Sequence, residues 1–584
     1  MSEHILPKAA VSRRSLMMGG LGVTAMVGLS ACGSGASNTP TTGAPTAGGY
    51  VPGSAQLKVE LGKELTGVLY PDGYVGPLAR AAEKFADGQT TYRVVTRSFV
   101  GQDVAGVNTF SKHLEEATGV KVQYEIVPAG DDGAPKLNAM MSSGDLPDAF
   151  MTGAPWMGGF TRSQLWTYGQ QGMFLPLDEL IDQYAPELVN LFGQFPELRK
   201  VMTAPDGKMY AFPSINQCYH CASSGQRTWI HTPSAEAIGV TGDSVSTLED
   251  FEALLREFKA MGMIPMSGYI EFPPMSLIEA AYLNVGEDRL RRKDGQISYT
   301  PIEEAWREAM ITTNRLVNEG LLDRNGFSQT KDQFTRLAMD PAGTQVAVLP
   351  GQSQGEFAEV NFSDPNARFR EFEPLKPFTG PDGNAYVAWR YNPGHNVGLV
   401  LTSKTRNPEE LIRWADYQTG LVSTLSMRLG TLDEHWGWAA EGETGIDGRQ
   451  AVYKKTATPS DENDVWWEMG PYNLVMDVRH GEFVDEPTSI EPALYRAGKM
   501  YEPFAAPEEE YFLEPFFTVE QAAQVGELKV NLDNAFTQGR ANLALGNADP
   551  ANDKDWENYV NSLKGAGLDR YLEILKAADD ASNG

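Results

Sequence analysis

Two short stretches hold residue types whose spacing could do covalent or metal chemistry. Gly351-Gln352-Ser353-Gln354-Gly355 has the G-x-S-x-G spacing of a nucleophile elbow and stands between an apolar strand and a helix, the setting that motif needs. A downstream acid with His395, His435 or His480 would complete a Ser, Asp, His order. Pro350 before the turn and the lack of an HGGG-type oxyanion loop weigh against a hydrolase, and Ser353 then serves as a hydrogen-bond donor to a ligand. Cys218-Tyr219-His220-Cys221 is the second stretch. Zinc would need a second ligand pair at suitable spacing, and none is present. The pair is read as a small structural disulfide, then as free thiols, with metal or redox chemistry last. Closing so short a loop contributes about 2 kcal/mol. Paired carboxylates for a glycosidase are easy to draw from 77 acids, and that abundance makes no pair specific. Neither a P-loop nor a dinucleotide fingerprint occurs in the mature chain. No cofactor and no metal are expected.

The elements that must position such residues alternate between strand and helix. Val107, Phe110 and Leu114 share a helical face closed by Gly119, and Val120, Val122, Tyr124 and Ile126 alternate as a strand. Leu137, Met140 and Met141 form the next helical stripe, ended by Gly144 before a short strand at 149–151. A second such block follows the Cys218–Cys221 loop. Trp229-Ile230 starts it, Ser246 and Glu249 make a capping box ahead of Phe251, Leu254, Leu255 and Phe258, and Trp306 to Val317 gives another helical face. Val346–Leu349 and Val397–Thr402 read as strands, and the C-terminus is helical through Tyr559, Leu563 and Leu568 to Leu575. This order gives largely parallel sheets covered by helices, in two α/β lobes on one chain.

The front of the chain carries an address. Ser12-Arg13-Arg14-Ser15-Leu16-Met17 and an apolar run lead to Leu29-Ser30-Ala31-Cys32. The paired arginines resemble a twin-arginine export signal and the second motif resembles a lipobox, with the lipid on Cys32. The apolar run from 16 to 30 is shorter than the ~20 residues of a spanning helix. Residues 33–54 are Gly, Ser, Thr, Pro and Ala with almost no charge, a composition that makes a flexible tether. The net charge of −29 disfavours nucleic acid and anionic lipid surfaces as partners, because both require a basic footprint.

Several stretches together resemble the extracellular solute-binding proteins of family 1, in the large lipoprotein branch associated with oligosaccharide import. They are Thr118-Gly-Val-Lys-Val122, Lys136 to Asp148, Leu175-Pro-Leu-Asp-Glu-Leu-Ile-Asp182, Tyr184-Ala-Pro186, Asp206-Gly-Lys-Met-Tyr-Ala-Phe-Pro213, Asn407 to Trp414, Trp556 to Val560 and Gly567 to Leu572. The chain departs from the family at Trp229-Ile-His-Thr-Pro-Ser234, where relatives often have Arg-x-Asp-Trp. The acidic 549–557 stretch also lacks the turn glycine of a calcium loop. The resemblance implies a two-lobe periplasmic-binding-protein-like (Venus flytrap) fold with hinge-crossing segments and a helical C-terminal part. It also implies a ligand held in the interlobe cleft, and membrane permease subunits with a separate ATPase as partners.

The expected division is a signal at 1–31, a tether at 32–56, a first lobe from 57–212 plus 394–455, and a second from 222–390 plus 460–584. A cleft for sugars needs aromatic platforms and hydrogen-bonding side chains. The ligand-binding candidates are Trp156, Asn216, Tyr219, Tyr269, Ser353, Trp389, Arg390, Trp436, Trp438, Trp466 and Trp467. Arg390 could bridge hydroxyls or a uronic acid carboxylate, or else pair with one of the chain's acids. The expected protein is therefore a monomeric, non-enzymatic lipoprotein on the outer face of the cell membrane, receiving an oligosaccharide for an ABC importer. The alternatives are a secreted hydrolase, either an esterase or a glycosidase, and a ligand-sensing lipoprotein that does not transport.

Overall fold

The computed structural model describes residues 53, 55–98, 108–128, 133–153, 158–340, 345–362, 364–391, 395–457, 459, 462–466, 469–484 and 489–583. Cys32, Trp156 and Trp467 lie outside them, as do the export motifs and nearly all of the tether.

The first lobe is built on a six-stranded sheet in the order Asn473–Leu474, Phe212–Asn216, His395–Leu401, Ala149–Met151, Thr91–Ser98, Lys121–Pro128. Thr91–Ser98 runs parallel to both Lys121–Pro128 and Ala149–Met151, as right-handed strand–helix–strand units require. The helix between the first pair, Thr109–Thr118, begins at Asn108, whose side chain accepts from the Ser111 N–H (3.0 Å). It ends at Gly119, which adopts φ 79° and donates to the Glu115 carbonyl. Both faces of the central strands are covered, so Ala149–Met151 and 397–401 read as apolar runs, while the edge strand Lys121–Pro128 alternates. Val94, Ala149, Met151, Leu399 and Leu401 pack on one face, and Val95, Phe150, Val397 and Val400 on the other.

The second lobe holds a four-stranded sheet in the order Phe372–Pro374, Thr228–His231, Val346–Pro350, Ile264–Met266. It repeats the two-sided logic: Ile230, Met266 and Val348 face one core, Trp229, Val346 and Leu349 the other. A helical C-terminal part covers the first of these cores. Trp306 stacks on Tyr559 (5.5 Å between ring centroids), meets Phe536 (5.9 Å) and donates through Nε1 to Glu279 (2.8 Å).

The chain passes from the first sheet to the second through residues 217–227 and returns between Pro374 and His395, a stretch that includes Ala388, Trp389 and Arg390. The first lobe's share then runs past the expected boundary at 455: Trp466, Met469, Tyr472, Leu474 and Val478 pack in its core, and the chain leaves only after the Glu482–Phe483 strand. Two further differences from the sequence reading concern helices. The capping box is one residue later, at Thr247 and Asp250, because the helix starts at Leu248. The 27-residue helix Val519–Leu545 was not expected. Its buried side chains Val525, Leu532, Phe536, Arg540 and Leu543 do form a helical stripe, but Arg540 interrupts it and Val519 and Val530 lie exposed on other faces.

Candidate functional site

A cavity of about 240 Å³ opens beside the lobe-crossing segments. One wall is the return crossing, where backbone pairing fixes Ala388, Trp389 and Arg390 between two neighbours. Ala388 N–H donates to Gln226 Oε1 (2.7 Å) and Arg390 N–H to the Ala222 carbonyl (2.9 Å), while Val387 exchanges hydrogen bonds with Phe504 and Ala506 (both 2.8 Å). Cys221 and Ala222 of the other crossing line the same space, and Cys218–Cys221 is a disulfide. Cys218, His220 and Cys221 bring potential ligand atoms within 4.8 Å of one another, but sulfurs joined to each other are not thiolates and hold no metal in this state.

The facing wall comes from a strained turn. Gly286 has φ 68°, and a Cβ there would meet the Leu290 carbonyl oxygen at 1.8 Å, so glycine is required. Asp288 (φ 52°) and Arg289 (φ 64°) are also left-handed, at a cost of about 1–2 kcal/mol each. Two residues one turn apart on the long C-terminal helix hold them there. Lys529 pairs with Asp288 (2.5 Å) and Asp533 with Arg289. The turn thereby presents Glu287 to the cavity, where Oε1 lies 2.7 Å from the Arg390 guanidinium and Oε2 accepts from the Tyr511 hydroxyl (3.2 Å). Burial, then the Glu287 charge, raises the Tyr511 hydroxyl above its ordinary pKa, so it stays a donor. Asn284 fixes Glu510 (2.9 Å) at the same wall.

A second cavity, also about 240 Å³, lies on the first-lobe side of the 506–517 stretch. It is lined by apolar side chains, Trp166, Tyr210 and Phe516 among them, with Arg162, His395 and Glu514. Burial pushes His395 down to about 4, so its ring is neutral at pH 7, and it lowers Arg162 to about 10. His395 Nδ1 and Trp166 Nε1 find no hydrogen-bond partner among the described residues. Tyr511 and Glu514 connect the cavities, since both feel Glu287 on one side and Arg162 on the other.

The candidates from sequence divide sharply. Trp389 and Arg390 line the first cavity. Tyr219 supports it from behind, its ring edge-on to Trp389 and its hydroxyl donating to Glu502 (2.8 Å). Asn216 instead accepts from Arg479 (2.7 Å). Trp436 and Trp466 are corrections: both are fully buried in the first-lobe core, and Trp438 is packed edge-on to Trp436 at 5.1 Å. Tyr269 is buried in the second lobe and donates to Glu356 (3.1 Å). Ser353 starts a short 3-10 turn away from both cavities, and no hydrogen bond joins its hydroxyl to a histidine among the described residues. The adjoining Gly351 carbonyl accepts from Trp229 Nε1 (2.9 Å), which makes the glycine loop a packing feature. Sequence reasoning missed Glu287, Glu510 and Tyr511. The Gly286-Glu-Asp turn was a usable signal for the first, whereas the acidic run 508–510 reads as a solvated face.

Residues 99–213 match the family model described as bacterial extracellular solute-binding protein. The chain is similar to that family over this stretch. No helix among its described residues is long and apolar enough to cross a membrane. A curated relative, the fructooligosaccharide ABC transporter substrate-binding protein FusA of Streptococcus pneumoniae, is 23% identical over 483 residues, covering 79% of this chain and 85% of the relative. Among solved structures, FusA in complex with kestose superposes with a TM-score of 0.64 at 22% identity, over 84% of this chain and 99% of that one. An extracellular solute-binding protein from Bifidobacterium longum subsp. infantis gives 0.68 at 17% identity, over 86% and 100%. At these identities the superpositions establish the shared two-lobe fold.

Proposed function

We propose that this protein is the receptor of an ABC-type importer, closing its two lobes on an oligosaccharide at the cavity formed by Trp389, Arg390, Glu287 and Tyr511. The observation that carries the reading is the chemistry of that cavity. It sets aromatic rings beside hydrogen-bonding groups of both polarities, the combination that suits sugars with apolar ring faces and many hydroxyls. Its position supports a hinge mechanism, because its walls include both crossing segments and a ligand touching both lobes favours the closed population. FusA, of the same fold, is a fructooligosaccharide-binding protein of such a transporter. The permease and its ATPase are the implied partners, a lipid on Cys32 the anchor to the outer face of the membrane, and a monomer the working state. The reading is of binding without turnover.

The test is calorimetric titration with a panel of plant and microbial oligosaccharides, recovering each sugar afterwards. Saturable binding with intact recovery supports a receptor. Cleavage of the bound sugar would revive the hydrolase, and silence across the panel would end the carbohydrate reading.

A further inference from the structure

We propose that the cavity selects uncharged oligosaccharides over anionic ones, and that Glu287 decides this by occupying the guanidinium of Arg390. The proposal rests on the receptor reading above and names the chemical class of its ligand. Arg390 is the only cation among the described residues lining the cavity, against Glu287, Asp288 and Glu510. A free guanidinium would be the natural fork for a uronate or sialate carboxylate. Here it lies 2.7 Å from Glu287, which the Tyr511 hydroxyl steadies from its other oxygen. The cations behind the wall are committed as well. Lys529 pairs with Asp288 (2.5 Å), and Arg291 is shared between Glu303 and Glu510. In the neighbouring cavity Arg162 donates to the Val201 (2.6 Å) and Glu514 (3.0 Å) carbonyls and faces the Glu514 carboxyl.

A ligand carboxylate would therefore have to compete with Glu287 for Arg390, in a wall where each cation already has an acid beside it. Sugar hydroxyls meet the same carboxylates as acceptors without adding charge. This is discrimination by a repulsive element rather than by added affinity. The left-handed turn at Gly286–Arg289 fixes the backbone that carries Glu287.

The experiment compares, on the full chain in detergent at physiological salt, neutral fructo-, xylo-, manno- and cello-oligosaccharides with oligogalacturonates and alginate oligomers of equal length. At least one neutral series should bind, with the uronates at least 100-fold weaker. Glu287→Gln keeps the side-chain size and frees Arg390, so the uronate-to-neutral affinity ratio should rise at least tenfold. Adding Arg390→Gln should abolish that rise. Wild-type uronate affinity equal to that for neutral sugars overturns the proposal even if the variant fails to fold. So does a folded Glu287→Gln with an unchanged ratio. Binding of no sugar at all is a different failure, which removes the receptor reading and this inference with it.

Discussion

The indole of Trp389 stands edge-on to the phenol of Tyr219, their ring centroids 5.9 Å apart. The contact ties the two segments that carry the chain between lobes, one of them closed by the Cys218–Cys221 disulfide. A platform buttressed this way is rigid before ligand arrives, which limits the ordering cost of binding. Trp389→Ala should weaken glycan binding at least tenfold, about 1.4 kcal/mol, with the fold retained. Arg390→Ala should weaken it too. Calorimetry on both variants checks this, and wild-type affinity in both would remove these residues from the site.

Asp533 acts at a distance. It does not line the cavity, yet it holds Arg289 in the left-handed turn that presents Glu287. Asp533→Ala should release the turn and lower glycan affinity severalfold, while the unfolding midpoint moves little because the pair is half-exposed. Hydrogen exchange at 286–290 should quicken in parallel. Unaltered exchange there would show that the turn holds itself.

Behind the first lobe, away from the crossings, Glu187 lies in a hollow with Arg80 and Asp416. Asp416 accepts from the N–H groups of Glu187 (3.1 Å) and Leu188 (2.9 Å) and so caps the helix Pro186–Gln194. Burial raises the Glu187 carboxyl to about 7 despite Arg80 at 3.2 Å. An acid raised in the folded state binds its proton more tightly there than when unfolded. Its contribution to stability is full below about 4.5 and is lost as pH rises through 7, on the order of 3 kcal/mol. Urea unfolding of Glu187→Gln at pH 5 and pH 8 should show a smaller loss across that window than wild type; equal losses would clear Glu187 of the effect.

Trp466 separates core from cleft. It is fully buried, donates through Nε1 to Ser111 (2.9 Å) and meets Phe110 and Tyr124 edge-on. Trp466→Ala should cost about 3–5 kcal/mol of stability and leave glycan affinity unchanged in the folded fraction. A large affinity loss in a protein of wild-type stability would return this residue to the site.

Much of the fold was legible because local chemistry agrees with it. The stripe at Phe110 and Leu114, the left-handed caps at Gly119 and Gly144 and the apolar runs at 346–349 and 397–402 each specify an element over a few residues. The tryptophans show the limit. Trp389, Trp436 and Trp466 all sit in segments without helical periodicity, and only the packed chain separates the one that lines a cavity from the two that fill a core.

The sequence by itself determined two α/β lobes, the Cys218–Cys221 pair as a loop constraint and the Trp389–Arg390 pair as a site candidate, since periodicity, capping and spacing are local properties. The tertiary structure alone decided that Arg390 answers to Glu287, 103 residues earlier by their numbering, and that Lys529 and Asp533 hold the turn between them. Ion pairs across such separations depend on how the lobes and the C-terminal helix close on one another. Every acid among 77 is an equally good partner until that closure chooses one.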